Sequence, residues 1–180
     1  MYRNFRRASI IAIALAVFVF GVGLADFEVA NFSNGFKVTY LGHTGDNSNT
    51  TWTYAVTEPE DPVQGLSQWT LGFCNTFEVI APESPYLTNM TIPECVSEYN
   101  CQESSYTVVI GLDPTTSVDG IKFEDPTEPL DGGIEEFTHV FQFELSHPNG
   151  YEASPVDVGM KWGSVEEVLP ILGPQCPPTA

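Results

Sequence analysis

Alternation is the feature that most narrows what this chain can become. Thr51-Trp52-Thr53-Tyr54-Ala55-Val56-Thr57 places Trp52, Tyr54 and Val56 on one side and small or hydroxylated residues on the other, the period of two that a half-buried strand requires. The same phase runs through Phe36, Val38 and Tyr40, and through Trp69, Leu71 and Phe73. It returns in Phe137, Phe141, Phe143 and Leu145, and in Val156, Val158, Met160 and Trp162. Tyr106 to Ile110 adds a β-branched run and Ile121-Lys122-Phe123 a short alternating one. Turn formers punctuate these segments at Asn34-Gly35, Asp113-Pro114, Asp119-Gly120, Asp131-Gly132-Gly133 and Pro148-Asn149-Gly150. No helical period appears after the first 25 residues. A sheet with one apolar face needs a second sheet to cover it. About seven to nine strands of this kind therefore predict an all-β, antiparallel β-sandwich, immunoglobulin-like or jelly-roll-like. Glu83 to Ser104, rich in Pro, Ser, Glu and Asn, reads as a long surface excursion.

The first 25 residues follow a different logic. Arg3, Arg6 and Arg7 precede an apolar run from Ala8 to Leu24, with Gly21, Gly23 and Ala25 at its end. A basic start, a short apolar middle and small residues at the cleavage positions describe a secretory signal peptide. The rival reading, a retained membrane anchor, is opposed by the glycines that interrupt the end of the run. Residues 1–25 are thus read as the signal and residues 26–180 as one β-sandwich domain, secreted or held at the cell surface.

Charge then excludes whole classes of partner. The chain carries 24 Asp and Glu against 6 Lys and Arg, a formal charge of −18. All three arginines lie in the signal, so the mature domain sets three lysines (Lys37, Lys122, Lys161) against 24 carboxylates, or −21. Such a field repels phosphate backbones and anionic lipid, which argues against nucleic acid and against direct membrane-surface binding. It favours cations, salty surroundings, or a basic partner such as a cell-surface protein. A surface polysaccharide is the other class of ligand open to an exported module. Self-assembly through unpaired strand edges also stays open.

Four cysteines in an exported chain are most simply two disulfides. Cys95 and Cys101 close a small loop and are paired here, which leaves Cys74 to tie Cys176 back to the domain. A zinc site is disfavoured because Cys-x-x-Cys and Cys/His clustering are lacking. Asn31, Asn49 and Asn89 begin Asn-x-Ser/Thr triplets, which matter only in a host that glycosylates exported proteins.

Several segments together carry a family resemblance: Asp46 to Val56, Leu66-Ser67-Gln68-Trp69 with Cys74 close behind, Gly111 to Glu124, Val156 to Lys161, and Gly173-Pro174-Gln175-Cys176. Over nearly the whole mature chain they resemble a family of uncharacterised exported β-rich proteins, mostly microbial. That family shares a Trp-Thr-Tyr strand, an Asp-Pro-Thr-Thr-Gly loop and a Val-Gly-Lys strand. The chain departs from the pattern at Ser117, where glycine is usual, at Gln68, where histidine is frequent, and at Trp162, where a small residue is usual. The resemblance implies a secreted or surface β domain with the terminal cysteine bonded. It brings no catalytic residue with it.

The richest candidate site is the segment from Asp113 to Asp131. Asp113, Asp119, Glu124 and Asp125 stand among turn-forming Pro and Gly residues, and calcium needs six to eight oxygen ligands of that kind. The Asp-x-Asp-x-Asp-Gly pattern is absent, and Asp113-Pro114 and Asp119-Gly120 serve equally as a corner and a tight turn. Asp46 to Asn49 suits an Asx-turn entering the Trp52 strand. Exposed tryptophans would suggest sugar stacking, but Trp52, Trp69 and Trp162 are each in phase with apolar neighbours and belong to the core. His139 falls in phase with Phe137 and Phe141 and reads as an inward or edge histidine. No Gly-x-Ser-x-Gly turn or His-Glu-x-x-His spacing organises an enzyme. The reading is a non-enzymatic binding or structural module without a cofactor, with a calcium-assisted carbohydrate-binding module as its alternative, for which calcium is the cofactor.

Overall fold

The computed structural model describes residues 24–46, 48–59, 65–74, 77–81, 87–89, 105–124, 138–146 and 152–174. Within them the chain is an antiparallel β-sandwich. A 3-10 turn at Leu24–Phe27, across the expected signal cleavage point, leads into eleven strands. They are β1 (Val29–Asn31), β2 (Lys37–Gly45), β3 (Asn49–Thr57), β4 (Gln68–Gly72), β5 (Glu78–Ala81), β6 (Leu87–Asn89), β7 (Ser105–Leu112), β8 (Asp119–Glu124), β9 (Thr138–Ser146), β10 (Ala153–Trp162) and β11 (Val165–Pro174). One sheet has the order β1-β2-β3-β9-β5 and the other β11-β10-β4-β8-β7-β6. The predicted signal core lies outside the described residues.

The predicted strands take the phase that their sequences set. In β3, Trp52 and Tyr54 face inward opposite Phe143 and Phe141 of β9, and all four are at most 1% exposed. In the second sheet Trp69 pairs with Phe123, their rings stacked at 4.9 Å and 15°. Phe141 reaches across from the first sheet to meet Trp69 edge-on, also at 4.9 Å. Each such side chain contributes roughly 1.5–3 kcal/mol by leaving water, and favourable ring geometry adds about 0.5–1.5 kcal/mol per pair. Trp52, Trp69 and Trp162 all lie in the core, with Trp162 the most accessible at 6%.

Four strands go beyond the sequence reading. β1, β5 and β6 are only three or four residues long, too short to show a period, and β6 lies within the expected surface excursion. β11 has ten residues, but Glu166-Glu167, Pro170 and Pro174 break its apolar pattern. It tolerates proline because, among the described residues, it pairs on one side only, with β10. A second difference concerns Asp119-Gly120. These residues begin β8 rather than forming a turn, and the turn is the preceding segment from Asp113 to Val118.

β4 is buried along its whole length. Trp69 and Leu71 face the core, so the burial of Gln68 and Thr70 needs a cover on the outer face of the sheet. That cover is the β7–β8 loop.

Candidate functional site

The loop from Asp113 to Val118 closes on itself through Asp113 N–H to Val118 O and Ser117 N–H to Asp113 O, both 2.8 Å. It then folds over the outer face of β4 and β10. Thr116 rests against Gly159 of β10, where an added Cβ would come within 2.7 Å of the threonine side chain. Asp113, only 1% exposed, is the anchor. Its Oδ1 accepts from Thr115 Oγ1 at 2.7 Å and from Thr115 N–H at 3.1 Å. Its Oδ2 accepts from Thr116 Oγ1 at 2.7 Å, Gln68 Nε2 at 2.8 Å and Thr70 Oγ1 at 3.1 Å. Gln68 also donates to Thr115 Oγ1 at 2.9 Å.

This knot decides the charge state of Asp113. Burial raises its pKa, but the hydrogen bonds from Thr115, Thr116 and Thr70 outweigh burial and bring it down to about 2. The carboxylate stays ionised at neutral pH while sealed from solvent. Ser117 carries a second cost of the loop: with φ of 60° it is the one non-glycine residue in the left-handed region among those described.

The residues proposed for calcium do not all meet. Asp119 and Glu124 are the first and last residues of β8, about 17 Å apart at roughly 3.4 Å per residue. Glu124 pairs with Lys122 at 2.5 Å. Asp113 and Asp119 share one end of the hairpin, Asp113 holding the loop and Asp119 exposed, and Asp125 lies outside the described residues. Among the described residues no three His, Cys, Asp or Glu side chains are grouped to hold a metal ion. Next to the loop is a recess of about 290 Å³ between Ser117 and Asp119 on one side and Pro155 and Asp157 of β10 on the other. That is at the small end for an organic ligand.

Asp46 forms the expected Asx-turn, its Oδ1 accepting from Ser48 N–H and Oγ, both at 2.7 Å, and from Asn49 N–H at 3.1 Å. Those bonds hold the Asp46 carboxyl down at about 2. Asn31 and Asn49 are exposed, and the Asn89 side chain lies outside the described residues. Cys74 follows β4, packs against the core and is disulfide-bonded. Cys95, Cys101 and Cys176 lie outside the described residues, and so do both expected pairings. His139 is buried in β9 at 7% exposure.

One aromatic group on β2 was not singled out by the sequence. The exposed His43 ring stacks on Trp52 at 4.4 Å and 19°, and its Nδ1 hydrogen-bonds the half-buried Tyr40 hydroxyl. An irregularity in the β2–β3 register between Tyr40 and Gly42 puts both rings on the same side, against strict alternation. Burial and the nearby Glu28 charge push the Tyr40 hydroxyl above its ordinary pKa.

The chain matches no family model, and neither the curated proteins nor the solved structures contain a significant match to it.

Proposed function

We propose that the chain is a secreted or cell-surface β-sandwich module that acts by surface contact and turns over no substrate. One observation carries this reading: the side chains best suited to binding or chemistry are spent inside the fold. All three tryptophans are at most 6% exposed, and both oxygens of Asp113 are occupied by the loop it anchors. What remains outside is a strongly acidic surface, suited to a basic face on a cell-surface protein or to a neutral polysaccharide. Export follows from residues 1–25, and a Cys74–Cys176 bridge fits the topology. β4 and β11 both run antiparallel to β10 and so leave the sheet at the same end, with each cysteine two residues beyond its strand.

A second reading, the calcium-assisted carbohydrate-binding module, draws on the Tyr40–His43 surface, where two neighbouring rings backed by Trp52 offer a stacking face. Presenting the mature chain to glycan and cell-surface protein arrays, with and without millimolar calcium, separates the two. Calcium-independent binding to basic proteins that weakens with salt is expected from the first. Glycan binding abolished by Tyr40→Ala or by chelation would establish the second, and turnover of ester, glycoside or peptide substrates would overturn both.

A further inference from the structure

The Asp113 knot contains more than a loop anchor needs. To hold the loop, Asp113 requires donors. The Thr115 N–H and hydroxyl on Oδ1 repeat the Asx-turn of Asp46 and Ser48, and what goes beyond such a turn is that the Thr115 oxygen also lies against the Gln68 carboxamide. Thr115 Oγ1 is 2.7 Å from Asp113 Oδ1 and 2.9 Å from Gln68 Nε2, and Gln68 Nε2 is 2.8 Å from Asp113 Oδ2. A hydroxyl bonded to a base and set against an acyl group is the arrangement of an activated nucleophile. The amide C–N bond is about 1.33 Å long, which places the oxygen within roughly 4 Å of Gln68 Cδ, at the N–H edge of the amide, and the side chain has to swing over the face of the amide to reach the ~3–3.5 Å of a near-attack geometry. Gln68 and Asp113 are 8% and 1% exposed, so water that would compete for the acyl carbon is largely kept out.

We propose that Thr115 Oγ1 attacks Gln68 Cδ to form an intramolecular ester that joins β4 covalently to the β7–β8 loop. The Oγ1–Cδ bond forms and the Cδ–Nε2 bond breaks. The hydroxyl proton passes to Asp113 Oδ1, and rotation of the carboxylic acid about Cβ–Cγ brings that proton to Nε2, beside which Oδ2 first lies, so that the departing nitrogen takes it up. Ammonia leaves, no electrons change hands, and no co-reactant is needed. One group thus serves first as base and then as acid, as histidine does in acyl transfer. Thr70 and Thr116 bond the carboxylate without bonding Gln68, which makes Thr115 the nucleophile.

An ionised carboxylate stabilised by several donors is a weak base, and this slows the step. Against that stands the proximity of the reacting groups, since effective molarities of about 10⁵ M or more are reached in intramolecular reactions once the groups are oriented. The bond has to form only once in the life of each molecule. It is a maturation of the chain and stands apart from whatever surface the module contacts.

Mass spectrometry of the exported chain, reduced and alkylated, tests this directly. The chain is expected to lie about 17 Da below the mass computed from its own N-terminus, the loss of one ammonia. A proteolytic digest should contain a hydroxylamine-sensitive link between the peptides bearing Gln68 and Thr115. Thr115→Ser should keep the link, and Thr115→Val should restore the full mass. A wild-type digest with Gln68 unlinked, whether as free amide or as glutamate, would overturn the proposal without reference to any variant, as would a link that survives in Thr115→Val.

Discussion

Tyr54 joins the two sheets, its hydroxyl donating at 2.9 Å from β3 to the carbonyl oxygen of Leu172 in β11. Leu172 is the register partner of Pro155, which has no N–H to offer, so the tyrosine supplies a donor where the neighbouring residue of β10 cannot. The hydroxyl is deeply buried, and that burial, with the Tyr40 hydroxyl nearby, pushes its pKa well above the ordinary tyrosine value. Tyr54→Phe keeps the ring and removes the bond. It is expected to lower unfolding free energy by about 1–2 kcal/mol in urea titration, with the m-value unchanged.

Gly159 tests how closely the loop lies on the sheet. A Cβ there would stand 2.7 Å from Thr116 Cβ and Oγ1, closer than either side can absorb without moving. Gly159→Ala is expected to cost about 1–3 kcal/mol, as overpacking does elsewhere. A cost near zero in the same titration would mean that Thr116 does not rest on β10.

Ser117 should respond in the opposite direction. Its φ of 60° is one that glycine adopts freely and serine only at a cost. Relief of that cost exceeds the extra freedom glycine gains in the unfolded chain, so Ser117→Gly should stabilise by about 0.5–1 kcal/mol, seen as a higher thermal midpoint.

These cases show what sequence could and could not reveal. Period two exposed the interior because Trp52, Tyr54, Trp69 and Phe141 alternate with polar residues. β11 escaped because two glutamates and Pro170 mask its phase on a strand that, among the described residues, pairs only with β10. Asp113 was picked out, but as one of several carboxylates around a cation. Its actual partners, Gln68 and Thr70, lie 45 and 43 residues earlier and are brought in only by the β4–β8 pairing. No local pattern contains that information.

Salt should strengthen the fold. The chain has a net charge of −18, and an ion pair such as Lys122–Glu124, which screening weakens, is set against a large excess of like-charged carboxylates. Raising ionic strength shortens the Debye length from about 10 Å at 0.1 M to about 3 Å at 1 M and relieves repulsion among carboxylates. The thermal midpoint is expected to rise over that range with sodium chloride as with other salts.

The pH dependence of stability, compared between the wild type and Asp113→Asn, probes the anchor itself. Asp113 is held at about 2 in the folded chain against 3.8 as its ordinary value, so the unfolded state takes up the proton first as pH falls. The stabilisation, up to about 2 kcal/mol, is complete above pH ~4 and drains away between about 4 and 2. The Thr115 hydroxyl bond, the largest of those that lower the Asp113 carboxyl, is lost where Thr115 Oγ1 has reacted, and Thr116, the Thr115 N–H and Thr70 then carry a smaller effect of the same sign. Asp113→Asn should be less stable at neutral pH and should lose less on acidification across that window. Superimposable acid-unfolding curves for the two proteins would contradict the account, because they would mean that the Asp113 carboxylate does not hold the loop to the sheet.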